Sequence, residues 1–237
     1  MHLFYTPELM AEEHTLTKDD SRHCAKVLRL AVGDKITLSD GRGFFYPSEI
    51  IDDNPKAVTV RVLEKKAMSK GWPQNIHIGF APTKNIGRTE WALEKCTEMG
   101  VDAFRPFISY HSERKAIKND RLERVIMAAA KQSLKAWHPK LEELQRFEKL
   151  VKQPFDGDKF IAYIGEESKH LLSRVLSSNR DALILIGPEG DFSKEEVKLA
   201  MENGFTPVSL GNSRLRTESA IVAACHTVHV INELNFE

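Results

Sequence analysis

Two short segments carry the residue types from which a small-molecule pocket is built. The first is Leu185–Phe192, LIGPEGDF, which follows an apolar run and precedes Ser193 and Glu196, the spacing of a helix capping box. Gly187 and Gly190 let a ligand approach the backbone closely, and Pro188 stiffens the turn. In open α/β sheets ligands bind beyond the carboxyl ends of strands, where such a loop would lie. The segment is neither GxxxxGK(S/T) nor GxGxxG, and Glu189 and Asp191 disfavour a phosphate. A nucleoside without phosphates, carrying a positive charge, suits it better, although an ordinary tight βα turn has the same composition. The second segment is Leu210–Ser219, LGNSRLRTES. Gly211, Asn212 and Ser213 form a loop, and Arg214 and Arg216 stand before a helix that Thr217 or Ser213 would cap. Glu218 falls in the first turn of that helix, where a carboxylate also complements the dipole. Two ligand-competent loops at successive strand ends imply one shared pocket.

Three further stretches supply cations and amides: Lys84–Glu90 (KNIGRTE), His111–Lys115 (HSERK) and Lys131–Lys140 (KQSLKAWHPK). Trp137 and His138 offer either a stacking surface for a base or a core contact. His226 and His229 lie one helical turn apart without a third ligand nearby, the pattern of packed or surface histidines and not of a metal site.

The elements that must position these residues fall into two blocks. Up to about residue 65 the chain reads as short strands and turns. Lys35–Ser39 and Val58–Leu63 alternate as strands do, Asp40, Gly41 and Gly43 turn into Phe44–Ile51, and a helix is expected around Asp20–Leu28. This is the pattern of a small β-barrel. Lys65–Gln74, polar and holding Gly71 and Pro73, reads as a linker. Thereafter strands and helices alternate: Ile76–Ala81, a helix over Arg88–Met99, Ala103–Ser109, and a long helix from Asn119 to Trp137. Then come Phe160–Ile164, a helix near Lys169–Leu176, Ala182–Ile186, a helix from Ser193 through Asn203, Val208–Leu210, and a final apolar helix over Glu218–Leu234. Alternation of this kind implies an α/β domain with a mostly parallel sheet covered on both faces. The expected domains are residues 1–70 and 71–237.

Composition narrows the class. At 237 residues and 41% hydrophobic, the chain is long enough to bury a core without disulfides or structural metals. Cys24, Cys96 and Cys225 are odd in number and form no CxxC pair. No apolar run is long enough to cross a membrane, and the start, MHLFYTPELMAEE, lacks the layout of a signal peptide, so a cytoplasmic protein is expected. The 34 basic and 34 acidic residues cancel, yet Tyr110–Lys140 holds eight basic residues against three acidic. Such a patch attracts a polyanion in a neutral chain, or forms a solvated helix face.

Taken in order, KNxxRxEWxLEKxTExGV (Lys84–Val101), HSERK, KQS, LIGPEGDFS and LGNSRLRTESA resemble the 16S ribosomal RNA (uracil-N3) methyltransferases of the knotted SPOUT superfamily. Arg22–Gly43, RHCAKVLRLAVGDKITLSDGRG, is similar to that family's PUA-like RNA-binding domain. The resemblance covers nearly the whole chain. It implies a trefoil knot, a topology very rare in general, built from the loops at Ile186–Gly190 and Leu210–Thr217 around S-adenosylmethionine. Cofactor contacts would then come from Ile186, Gly187, Pro188, Glu189, Gly190, Leu210, Gly211, Leu215, Arg216 and Thr217.

It implies further that Arg216 stabilises charge on a uracil carbonyl oxygen and that Glu218 is the candidate base or a helix-start carboxylate. RNA contacts are expected from Arg22, Lys26, Arg29, Lys84, Arg88, Arg114, Lys115, Lys131 and Lys135. The partners implied are 16S rRNA or the assembled small subunit, and a second copy of the chain docked through the final helix, with neither DNA nor membrane. Asp191 stands where members often have a second glycine, and Asn212-Ser213 where they commonly have Pro-Arg. Two other readings fit the same residues: a related knotted enzyme acting on a ribose 2′-hydroxyl or another RNA position, and a non-catalytic RNA-binding assembly factor.

Overall fold

Short alternating segments pair first with one another and then with a piece of chain from much later. In the computed structural model, which describes residues 1–9, 12–165, 170–178 and 180–235, the first unit comprises Met1–Gly71 together with Ala130–His138. Its strands are β1 (Leu3–Tyr5), β2 (Glu13–Thr15), β3 (Lys35–Ser39), β4 (Phe44–Asp52), β5 (Thr59–Val62) and β6 (Lys66–Ala67). They form a six-stranded sheet in the order β1-β3-β4-β5-β2, with β6 also on β4; β1 and β3 run parallel and the other pairs antiparallel. Phe4, Leu16, Ile36, Leu38, Ile50, Val58 and Val60 turn inward as its core, with Cys24 buried among them.

Three local expectations change here. The helix around Asp20–Leu28 is α1 (Lys18–Arg22), capped by Thr17, followed by one π-helical turn at His23–Val27. The linker is partly structured: β6 pairs with β4, and Trp72 is buried, its indole N–H donating to Asp102 at 3.0 Å. Its ring fills the space beside Gly100, where φ is +114° and a Cβ would overlap the indole. The long helix, α3 (Asn119–Gln132), follows α2 (Ile86–Met99) in the chain and stops short of Trp137. Leu134 turns the chain with φ 54°, and Lys135 donates its amide back to Ala130. Residues 130–138 then complete the first unit. Gly43 donates to the Ala136 carbonyl at 2.9 Å, His138 to that of Gly41 at 3.0 Å, and the Trp137 indole to that of Met68 at 3.0 Å.

The second unit, Trp72–Ala129 with Pro139–Glu237, is built on an eight-stranded sheet. Its strands are β7 (Ile76–Phe80), β8 (Ala103–Ile108), β9 (Lys140–Leu141), β10 (Gln145–Arg146), β11 (Asp158–Ala162), β12 (His170–Leu171), β13 (Ala182–Ile186) and β14 (Thr206–Ser209). The order is β10-β8-β7-β13-β11-β14-β12, with β9 on β8, and every pair is parallel. β13 sits centrally and reads ALILI with all five residues buried, as a strand covered on both faces must. The remaining helices are α4 (Phe147–Val151), α5 (Leu172–Val175), α6 (Lys194–Glu202) and α7 (Thr217–Leu234). Lys169, where one helix was expected to begin, lies outside the described residues.

One core, on the side of α2 and α7, holds Ile78, Phe80, Leu93, Ile184, Ile221 and Val228; the other, on the side of α4 and α6, holds Phe107, Phe147, Ile161, Leu183, Leu185 and Val197. Among the described residues no helix is long and apolar enough to cross a membrane.

Candidate functional site

Strand register decides where the loops emerge. Pro106, Phe80, Ile186, Ala162 and Val208 stand side by side across five parallel strands. The residues after this row therefore leave the sheet at one level: the chain at Ala81, Gly187, Tyr163 and Ser209. There the structure opens a cavity of about 940 Å³. Its walls are residues 186–191 after β13, residues 208–217 between β14 and α7, residues 162–165 after β11, and Arg88 from α2. All of Ile186, Gly187, Pro188, Glu189, Gly190, Leu210, Gly211, Leu215, Arg216 and Thr217 line it.

The loop after β13 is held from several directions. Asp191 adopts φ 61°, a left-handed conformation that glycine takes freely and aspartate tolerates better than most residues. This explains how an aspartate occupies a glycine-favouring place. Its side chain is fully engaged, one oxygen accepting from the Phe192 amide at 2.8 Å and the other from the Ile164 amide at 3.1 Å. The Glu189 carboxylate accepts from the Lys84 amide at 2.9 Å, and His111 Nδ1 lies 3.0 Å from the Asp191 carbonyl. Gly190 passes so close to His111 that a Cβ would come within 2.9 Å of the His111 Cβ. Behind the loop the expected capping box is present: Ser193 accepts from the Glu196 amide, and the buried Glu196 carboxylate accepts from the amides of Ser193 and Tyr110 and the hydroxyl of Ser109.

The loop before α7 is differently made. Gly211, Asn212, Ser213, Arg214 and Arg216 are exposed, and Gly211 has φ 131°. Neither Thr217 nor Ser213 caps the helix; the cap position is Arg216, without a side-chain cap bond. Thr217 instead donates its hydroxyl across the cavity floor to the Gly187 carbonyl at 3.2 Å, which ties the two loops together. Glu218 follows in the first turn, 9% exposed and not part of the cavity lining. One of its oxygens is 3.7 Å from Arg88 Nε, and the other, buried, has no partner among the described residues.

The expected RNA-contacting residues distribute over both units. Arg22, Lys26 and Arg29 are exposed in the first unit, and Lys131 belongs to the same unit, ion-paired with Asp20 at 3.1 Å. Lys135 is half-buried there. In the second unit Lys84 pairs with Glu113 at 2.7 Å, which raises the lysine's pKa above its ordinary value, and Arg88 lines the cavity. Arg114 is committed to the backbone, donating to the carbonyls of Thr83 at 2.9 Å and Lys84 at 2.6 Å, so it braces the loop after β7. The positive stretch Tyr110–Lys140 is thus divided between units and partly neutralised, because Arg121 also pairs with Glu90. Trp137 is packed against Gly43, and the His138 ring lies 4.7 Å from that of Tyr5. His229 is packed too: its Nε2 is 2.7 Å from the Gly100 carbonyl. Tyr163, Ile164, Arg88 and Asp191 are site residues that motif reading either missed or placed elsewhere; only Arg88 and Asp191 lay in segments already singled out.

A cavity of this size, walled by glycine backbone and by Glu189 and Asp191 beside Arg88, Arg214 and Arg216, has room for a nucleoside-sized ligand. Comparison with known proteins agrees. An RNA methyltransferase domain model matches residues 70–229, and an RNA methyltransferase PUA domain model matches residues 16–63. The chain belongs to this RNA methyltransferase family. Among its relatives, ribosomal RNA small subunit methyltransferase E of Synechocystis is 30% identical over 98% of this chain and 78% of its own. The Bacillus subtilis protein of the same name is 28% identical, covering 94% and 92%. A crystal structure from Porphyromonas gingivalis, described as a probable rRNA-methyltransferase, superposes with a TM-score of 0.92 at 41% identity over 99% of both chains. The Neisseria gonorrhoeae methyltransferase E, solved bound to S-adenosyl methionine, gives 0.88 at 27% identity over 98% of both.

Proposed function

We propose that this RNA methyltransferase transfers the methyl group of S-adenosylmethionine to N3 of a uridine in 16S rRNA of the small ribosomal subunit. The supporting observation is the single cavity that both motif loops line, tied together by Thr217 and Gly187. The relatives named for small-subunit rRNA, and one solved with the cofactor, support the substrate and cofactor. In this reading the two loops form a SPOUT trefoil knot, the chain works as a homodimer in the cytoplasm, and the first unit is a PUA-like RNA-binding domain.

The cofactor supplies a methyl carbon on a cationic sulfur that departs as a neutral thioether. The protein's part is to seat that group and to take the proton of uracil N3. The nitrogen's π pair is delocalised into the two flanking carbonyls, and only loss of the proton gives an in-plane pair that can attack the methyl carbon. Backbone of Gly187, Gly190, Leu210 and Gly211 would line the nucleoside, with Glu189 and Asp191 near its positive charge. Arg216, exposed at the cavity, would meet the negative charge that develops on a uracil carbonyl oxygen.

Of the acidic groups at the site, Asp191 has both oxygens engaged and Glu189 is held by Lys84. Glu218, outside the cavity lining but next to Thr217, has one buried oxygen with no partner among the described residues, and we assign it the N3 proton, with Arg88 beside the other oxygen. Proton transfer to a positioned base contributes roughly 10²–10⁴-fold, and alignment of the two reactants supplies much of the remainder.

The deciding experiment is methyl transfer from labelled S-adenosylmethionine to small subunits lacking the modification, followed by mass analysis of the nucleosides. Appearance of 3-methyluridine is expected. A 2′-O-methylated nucleoside would move the target to a ribose, and absence of both transfer and cofactor binding would leave an RNA-binding protein.

A further inference from the structure

A second cleft opens beside the first, at the carboxyl ends of β8 and β10. It has a volume of about 710 Å³ and is lined by Ile108, Tyr110, Lys115, Arg146, Glu148 and Glu195, together with Ser109, Ser193 and Glu196 at its base. The floor is rigid. Glu196 is buried and accepts from the Ser109 hydroxyl at 3.1 Å and the Tyr110 amide at 2.8 Å, while the Ser109 amide donates to Ser112 at 2.9 Å. On that fixed backbone stands Tyr110, 78% exposed. Its ring sits edge-on to His111, with centroids 4.9 Å apart and planes at 79°. His111 in turn touches Asp191 and Gly190 in the wall of the first cavity. One dipeptide therefore separates the two openings.

A large aromatic ring held out into solvent on a braced backbone is a poor device for stability and a good one for stacking. Lys115 and Arg146 flank it as cations, and Glu148 and Glu195 as carboxylates. Glu195 is kept ionised, its carboxyl held below the usual range by its own backbone N–H and by the Ser193 hydroxyl. The balance of charge is wrong for a continuous polyanion track. It suits one nucleotide: a phosphate for the cations, a ring face for Tyr110, and an exocyclic amino group for the carboxylates, which accept hydrogen bonds from such groups.

We propose that this cleft receives the nucleotide flanking the target uridine in single-stranded form, stacked on Tyr110, with its phosphate on Lys115 or Arg146 and an amino-bearing base facing Glu148 and Glu195. The proposal rests on the RNA methyltransferase reading above. Tyr110 is then a substrate-positioning residue, remote from the methyl group itself.

The test compares wild type with Tyr110→Ala, Tyr110→Phe and Arg146→Ala, all in the full chain. Steady-state methyl transfer to small subunits is measured alongside calorimetric binding of S-adenosylmethionine. Loss of one base–aromatic stack costs about 5- to 100-fold in affinity. Tyr110→Ala should raise KM for the subunit by about tenfold with kcat and cofactor affinity nearly unchanged. Tyr110→Phe should restore it, since the ring face is retained. An unchanged KM in Tyr110→Ala, or a phenylalanine variant as poor as alanine, would overturn the proposal.

An independent readout uses a short single-stranded oligoribonucleotide carrying a fluorescent purine analogue next to the uridine. Stacking on Tyr110 should quench it in wild type and not in Tyr110→Ala, and equal fluorescence in both overturns the stacking. Wild type that quenches the probe yet methylates no subunit would instead sink the catalytic reading and leave the cleft standing.

Discussion

The two loops that line the main cavity are built on opposite plans. The segment after β13 is saturated with bonds: Asp191 accepts from the neighbouring Phe192 amide and from Ile164, the Glu189 carboxylate accepts from Lys84, and the Gly187 carbonyl accepts from Thr217. The segment before α7 is tied more lightly: the Ser209 hydroxyl bonds to the amide and carbonyl of Gly211, while Asn212, Ser213 and Arg214 lie exposed and Arg216 caps the helix without a side-chain bond. One loop is a preorganised floor and the other a set of groups left available for ligand. Preorganised donors and charges gain most when they need no rearrangement as the reaction proceeds, so the floor should govern stability and the open loop should govern rate.

The largest effect that could break this division is at Arg216. Arg216→Ala should lower kcat by about 10²–10³-fold while leaving the melting temperature within a degree or two of wild type, roughly what a surface substitution does. A clear loss of melting temperature would show that the open loop carries structure after all. Next comes Asp191→Ala, which removes two hydrogen bonds and puts a less tolerant residue at φ 61°. It should destabilise the protein by about 1–3 kcal/mol, read by denaturant unfolding, and should weaken cofactor binding as a consequence.

Asp191→Gly sharpens the point. Glycine relieves the backbone but not the lost bonds, so its stability should fall between wild type and alanine. The smallest effect belongs to Thr217→Val, which cuts the Thr217–Gly187 tie between floor and open loop at a cost of about 1 kcal/mol. Calorimetry should show a several-fold loss of cofactor affinity with little change in kcat for saturated enzyme.

The parallel sheet and its helices were legible because the signals are local and strong. ALILI has the continuous apolar run of a doubly covered strand, Ser193 and Glu196 have capping-box spacing, and the two glycine-bearing loops follow strands. That both loops meet at one cavity followed from strand ends alone. Their tie did not: Thr217 looked like a helix cap, and only the sheet register brings its hydroxyl within reach of Gly187. Arg114 was equally opaque, since an arginine in a basic run looks the same whether it faces solvent or two backbone carbonyls. The end of α3 was missed because its helical periodicity continues past the point where Leu134 reverses the backbone. Tyr163 and Ile164 sit in a stretch of ordinary composition, and nothing short of the β11 register marks them as cavity residues.

Residues 130–138 also bear on how this chain comes into being. The first unit's sheet is encoded within the opening 71 residues, yet Ala136, Trp137 and His138 pack and hydrogen-bond against its Gly41 and Gly43. At Gly43, φ is +97° and a Cβ would overlap the Trp137 ring, so the fit is specific to glycine. During synthesis from the N-terminus, this unit must therefore wait, incomplete, until more than half of the polypeptide has left the ribosome. Its closure is a late step, because the segment that completes it lies beyond β7, α2 and β8 in the chain.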